Sequence, residues 1–232
     1  MDIPIIFENE ELLVINKPCG VVVNRAESAK GETVQDWIDS IAPPTAGLQN
    51  DEFISRSGIV HRLDKDTSGI LVIAKNPESF EVLKNQFKER KVVKKYLTLV
   101  HGELEPKEGE INAPIERSPV NRMHFGVFPG GREAITKYKV LKYLKFLKYP
   151  KEIYSYLEVE PKTGRTHQIR VHMKYLGHSV VSDPLYAGRK QLIRNLTICP
   201  RMFLHATYLK ISGFIFDSPL PPDLNLVLKS IE

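Results

Sequence analysis

Eight consecutive positions, His61 to Ser68, hold a histidine, an arginine, two aspartates, a lysine, a threonine and a serine, and the apolar run GILVIAKN (Gly69–Asn76) follows at once. A loop that delivers polar groups from the edge of a rigid sheet is where sites tend to lie, although Asp and Ser also favour turns on their own account. Asp64 and Asp66 suggest a carboxylate pair of the kind used on glycosidic bonds. On an extended segment they would share a face; in a turn their geometry is open. Thr67 and Ser68 could offer a hydroxyl, but no neighbour marks His61 as its base.

The second polar segment is PKTGRTHQIRVHM (Pro161–Met173). Arg165 and Arg170 could each meet a carboxylate, and on a helix His167, Arg170 and Lys174 would share a face. His167 and His172 are five apart, without HExxH, so a metal site is not expected. The sequence has no GxSxG elbow, no GxxxxGK[ST] phosphate loop and no GxGxxG after a strand.

These groups need elements to hold them. ELLVINKP (Glu11–Pro18) reads as a buried strand ending in a Pro-Cys-Gly turn. Thr33–Ile41 suggests a short helix carrying Trp37, and Pro43–Asn50 a loop. Gly69–Asn76 is a second apolar strand. Asn76, Pro77 and Glu78 supply an N-cap, an N1 proline and a first-turn acid for a helix over Pro77–Arg90. KKYLTLVHGEL, Glu133–Leu144 and Tyr154–Pro161 read as strands. Thr166 is placed to cap a helix through Leu176, stopped by Gly177. The remainder reads as strands and loops with a Pro-rich exit at Pro219–Pro222. Strands and helices mix without strict βαβ alternation. The fold class is therefore α+β, a mixed, mainly antiparallel sheet core flanked by helices and loops, and residues 1–232 are expected to form one domain.

The chain has 232 residues, 42% hydrophobic and 26% charged, an ordinary globular mixture that excludes collagen, coiled coil and disorder. Cys19 and Cys199 are too few for a disulfide framework. The start, MDIPIIFENEELL, has no signal-peptide pattern. The longest apolar run is the six residues Gly69–Ala74, short of the roughly 20 of a membrane helix. A cytoplasmic monomer that does not enter a membrane is the expectation. Lys plus Arg number 33 and Asp plus Glu 28, a formal +5. Lys84–Lys95 holds six basic residues and one acid, and Lys137–Lys151 six lysines, no acid and four interleaved aromatics. Cations among aromatics suit RNA, whose phosphates take charge and whose unstacked bases take rings. A solvated charged face reads equally well from charge alone.

Taken together, LLVINKPCGVVV, GIVHRLDKDTSGILVIAKN, KKYLTLVHGEL, PKTGRTHQIRVHMKYLGHSVVSDPLYA and LHATYLKIS (Leu204–Ser212) resemble the successive motifs of the RluA family of RNA pseudouridine synthases, in its order. The resemblance implies that family's catalytic fold with a central cleft, without the extra N-terminal RNA-binding domain many relatives carry. It implies a cofactor-free isomerase that breaks the N-glycosidic bond of a uridine in ribosomal or transfer RNA, turns the base and rejoins it through carbon five. HSVVSDPLY departs from the pattern, lacking the proline relatives have after the His. By position, Asp64 matches the essential carboxylate, Tyr96 the motif tyrosine, Arg170 the arginine of HQIR and Arg62 the arginine that helps displace the target base. Asp66 matches no fixed position. An Asp64–Arg170 ion pair is expected. Asp64 could act as nucleophile at the sugar or as base. His61, Lys94, Lys95, Lys162, Arg165 and His167 are the expected further RNA contacts. Specificity is expected in the loops Pro43–Ser57 and Pro106–Arg132.

Overall fold

Local caps and apolar spacing decide where most elements begin and end. The computed structural model describes residues 1–26, 31–42, 50–146 and 149–230. Along the chain come β1 (Ile5–Glu8), β2 (Leu12–Lys17), α1 (Val34–Ile41), α2 (Asp51–Ser55), β3 (Ser68–Ala74), α3 (Pro77–Lys88), β4 (Val93–His101), β5 (Glu108–Asn112) and β6 (Ile115–Arg117). There follow β7 (Phe125–Val127), β8 (Ile135–Phe146), β9 (Tyr149–Pro161), α4 (Gln168–Tyr175), α5 (Arg189–Asn195), β10 (Leu204–Ile211), β11 (Phe214–Asp217) and α6 (Pro222–Lys229). The chain divides into two compact units, Met1–Val93 with Ala206–Ser218, and Lys94–His205 with Pro219–Glu232.

In the first unit β1, β2 and β3 form an antiparallel run, with Leu12 opposite Ala74 and Lys17 opposite Gly69. Every residue of β3 is buried, which fits its uninterrupted apolar sequence. β10 follows β3 in strand order and pairs with β11. Gly69 is required where these strands meet: its φ is +116°, and a Cβ there would lie 2.2 Å from the carbonyl oxygen of Ala206. α3 starts as the sequence predicts. The Asn76 side chain accepts from Ser79 N and Pro77 occupies the first turn, a cap contributing about 1 kcal/mol. Phe80 and Leu83 then pack with Leu12, Val14, Ile70 and Val72. The helix stops two residues before the predicted Arg90, because Arg90 turns left-handed at φ 59°. α1 begins at a capping box formed by Thr33 and Asp36.

The second unit is built on the antiparallel order β4-β9-β8-β5, beside a separate hairpin of β6 and β7. Tyr96 stands opposite Val159, and Glu158 lies between Leu97 on one side and Lys139 on the other. Ile169 and Met173 of α4 pack with Val100, Leu157 and Val159. A second cluster joins Leu224 and Val227 of α6 to Leu99, Tyr154 and Phe203. The architecture is the expected α+β, with mainly antiparallel strands.

Three expectations are corrected. α4 is not capped by Thr166; its N-cap is His167, left-handed at φ 55° and without a side-chain cap bond. Its start is instead fixed by Gln168, whose amide oxygen accepts from Thr163 Oγ1 and Arg165 N while its Nε2 donates to Ile135 O and Thr136 Oγ1. The expected Pro-rich exit is the entrance to α6, with Pro222 in its first turn. α2 and α5 were not foreseen. Of the expected loop Pro43–Asn50, residues 43–49 lie outside the described residues, as does Lys148 of the basic stretch.

Candidate active site

The HRLD segment is fastened from both ends. Upstream, Gly58 O accepts from Ala74 N at 2.9 Å, and a Cβ on Gly58 would meet that residue's carbonyl oxygen at 2.0 Å. His61 Nε2 accepts from Val72 N at 3.0 Å, which puts the ring proton on Nδ1. The ring also stacks on Phe87 of α3, 4.5 Å away and inclined by 22°. His61 therefore serves to hold the loop to β3. Arg62 is exposed and Leu63 buried.

Downstream, Asp64 is half-buried at the start of a turn closed by Thr67 N donating to its carbonyl at 3.1 Å. The turn is clamped by residues 17–20. Gly20 N donates to Lys65 O at 2.9 Å, and Cys19 Sγ to Asp66 O at 3.2 Å. Lys17, wholly buried, donates its ammonium to the carbonyls of Pro18, Val21 and Lys65 at 2.8, 2.8 and 3.1 Å. A buried ammonium is tolerated when its three donors are all engaged. Lys17 thus positions the turn that presents Asp64, whereas its sequence context marks it only as the end of a strand. Thr67 and Ser68 are buried, so neither offers an accessible hydroxyl.

In the second unit Tyr96 lies half-buried on β4, packed against the cluster that includes Val159 and Ile169. α4 carries Arg170 into the interior, 3% exposed. There its Nε and Nη2 donate to the two oxygens of fully buried Asp183 at 2.7 and 2.9 Å. Asp183 also accepts from the backbone N–H groups of Leu185 and Tyr186. A planar guanidinium held by two parallel bonds has a fixed direction. Its carbon sits 5.0 Å over the ring of Tyr186. The Tyr186 hydroxyl accepts from Phe125 N at 3.0 Å and bonds His167 Nδ1 at 2.9 Å. Asp183 and Tyr186 were missed as supports, though both stand in the SDPLY segment. Within this unit the acid holding Arg170 is Asp183; the expected partner Asp64 belongs to the other unit.

His167 and His172 are turned to separate tasks. His172 is buried, its Nδ1 2.8 Å from Thr136 Oγ1 and its Nε2 3.0 Å from Ala113 O. Burial lowers its pKa, disfavouring the charged ring. Among the described residues, no group of three or more His, Cys, Asp or Glu could hold a metal ion.

The lysine-rich strands do not present the bare positive face their sequence suggests. Lys137 and Lys139 of β8 meet Glu110 and Glu108 of β5 at 3.7 and 2.8 Å. Lys95 of β4 meets Glu158 of β9 at 3.0 Å, and Lys162 pairs with Glu160. Lys84 is shared by Glu52 and Glu81. Glu81 and Glu160 are chain neighbours of their lysines, but Glu52, Glu108, Glu110 and Glu158 come from elements distant in sequence, so that part of the charge balance was invisible to a local count. Arg165 donates through Nε to Glu133 O. Desolvation draws half-buried Lys94 down to about 8.

The chain matches the family model described as RNA pseudouridylate synthase over residues 11–175. It is 35% identical, over its whole length and 73% of the relative, to the Uncharacterized RNA pseudouridine synthase YlyB of Bacillus subtilis. It is 38% identical over 99% of its length to Ribosomal large subunit pseudouridine synthase D of Zymomonas mobilis, covering 74% of that protein. Among solved structures, Human RNA Pseudouridylate Synthase Domain Containing 1 superposes with a TM-score of 0.74 at 29% identity, covering 97% of this chain and 87% of that one.

Proposed function

The chain belongs to the RNA pseudouridylate synthase family, and we propose that it converts specific uridines of structured ribosomal or transfer RNA to pseudouridine with Asp64 as essential carboxylate and no cofactor. The observation that carries this reading is the clamped turn. Lys17, Gly20 and Cys19 fix the backbone on the C-terminal side of Asp64, and the His61–Val72 bond fixes it on the other. A carboxylate so held meets its target without first being ordered, which is where positioning lowers a barrier. Breaking the glycosidic bond builds positive character on the sugar and negative charge on the uracil. An ionised Asp64 serves the sugar either as nucleophile or as base to its neighbouring hydrogen.

Tyr96 supplies a ring to stack on the extruded base and a hydroxyl for proton transfer. Arg170 is the cation assigned to Asp64, its plane aimed by Asp183, and Arg62 fills the stack the uridine leaves. A relative named for the ribosomal large subunit makes ribosomal RNA the first substrate to test.

The test is carbodiimide mapping of pseudouridines in total RNA from cells with the gene, without it, and with Asp64→Asn in its place. One or a few sites are expected to vanish in the deletion and stay absent in the variant. An unchanged map argues for an RNA-binding module without catalysis; a variant that restores every site refutes the role of Asp64. Arg170→Ala should lower turnover more than RNA affinity.

A further inference from the structure

The seven residues Ser118–His124 join β6 to β7 and leave Val120 94% and Met123 70% exposed. Single exposed apolar residues are ordinary. These two, however, stand on a tip whose shape is fixed by its own bonds. Asn121 N donates to Ser118 Oγ at 3.2 Å, Met123 N to Asn121 Oδ1 at 3.0 Å, and Arg117 Nη1 to Arg122 O at 2.6 Å. Ser118 N closes the base of the loop on His124 O at 2.9 Å. The sixteen residues Arg117–Arg132 hold three arginines and a histidine and no acid. This contrasts with Lys137 and Lys139 of β8, which are matched by glutamates. The root of the hairpin is tied to α4, through the bond from Phe125 N to the Tyr186 hydroxyl that also holds His167.

We propose that this hairpin tip is a docking surface for the RNA substrate, an inference that rests on the RNA reading above. Arg117 and Arg122 take phosphates, and Val120 and Met123 take the faces of bases or sugars exposed in a loop or bulge. The combination fits RNA better than a protein partner. A protein interface wants a larger apolar centre with charge at its rim, whereas here two apolar side chains are set among cations. Because the tip is ordered beforehand, little conformational entropy is lost on contact.

The experiment uses the full chain and total RNA from cells lacking the gene. Ultraviolet crosslinking followed by peptide mapping should find RNA attached within residues 117–132. The double variant Val120→Ser, Met123→Ser should raise the half-saturating RNA concentration about tenfold, with the maximal rate of uridine conversion unchanged. Arg117→Ala, Arg122→Ala should lower the salt slope of binding by about 1.5. Conversion by the wild type without crosslinks in the hairpin, together with an unchanged half-saturation in the serine variant, overturns the proposal. So does a serine variant that converts RNA normally but loses a bound protein. Crosslinks in the hairpin of a wild-type chain that converts no uridine would keep the docking surface and discard the catalytic reading instead.

Discussion

Asp183→Ala is the substitution that probes most directly how Arg170 is held. Asp183 is fully buried and its carboxylate accepts four hydrogen bonds, two from the guanidinium and two from the backbone of Leu185 and Tyr186. Removing one member of a buried ion pair leaves the other's charge in low dielectric and costs about 3–5 kcal/mol. For a chain of this size each kcal/mol moves the melting temperature by about 2–4 °C, so the transition should fall by roughly 6–20 °C. Asp183→Asn keeps an oxygen for the two backbone donors but turns an amide NH2 toward the guanidinium. Its loss should be smaller, about 2–3 kcal/mol. The double variant Arg170→Met, Asp183→Leu buries no charge and should be less destabilised than the sum of its single changes. Urea unfolding followed by circular dichroism reads all three as midpoint shifts at constant slope. An Asp183→Ala variant within about 1 kcal/mol of the parent, or strict additivity in the cycle, refutes the argument.

Two further outcomes follow from the geometry. Lys17→Met removes three donors from part-buried carbonyls and should cost about 2–4 kcal/mol. At temperatures where that variant is folded it should lose turnover while keeping RNA affinity; full turnover would show that the clamp on the Lys65 carbonyl does not matter. His101 is desolvated and its pKa falls to about 4, with the Asn195 amide oxygen accepting from Nε2 at 2.8 Å. Because the folded pKa lies below the unfolded value near 6.5, the unfolded chain takes up the proton first. Stability is therefore full above pH 6.5 and declines as pH falls toward 4, by on the order of 3 kcal/mol before screening of the part-exposed ring. Chemical unfolding of His101→Phe should show a shallower decline over that window; equal slopes would contradict the assignment.

What could be read beforehand was what the chain encodes locally. Asn76-Pro77-Glu78 announces α3, and the unbroken run after Ser68 announces a strand covered on all sides. The cap of α4 escaped because His167 adopts a left-handed backbone that only the surrounding bonds of Gln168 select. α2 and α5, of five and seven residues, are too short for apolar periodicity to register. The basic stretches, which charge alone left open between an RNA face and a solvated charged face, stayed undecided for a different reason. Lys139 meets Glu108 across the β5–β8 pairing, and nothing in the neighbourhood of Lys139 in sequence reports that register. Arg170 was singled out by the motif resemblance, but its bonds to Asp183 and its place over Tyr186 are a property of folding alone.

The first unit is finished by a segment that the ribosome delivers late. β3 is buried along its whole length, yet β10, its neighbour in strand order, is encoded about 130 residues further on. At translation speeds of about 5–20 residues per second that is a wait of roughly 6–26 seconds. During that interval Val72 and Ala74 can already donate to His61 and Gly58, but the Ser68–Leu71 end lacks its partner strand and is an uncharged edge of the kind that seeks the wrong neighbour. A nascent chain arrested before Ala206 would hold the HRLD segment yet lack the strand that lies against Gly69.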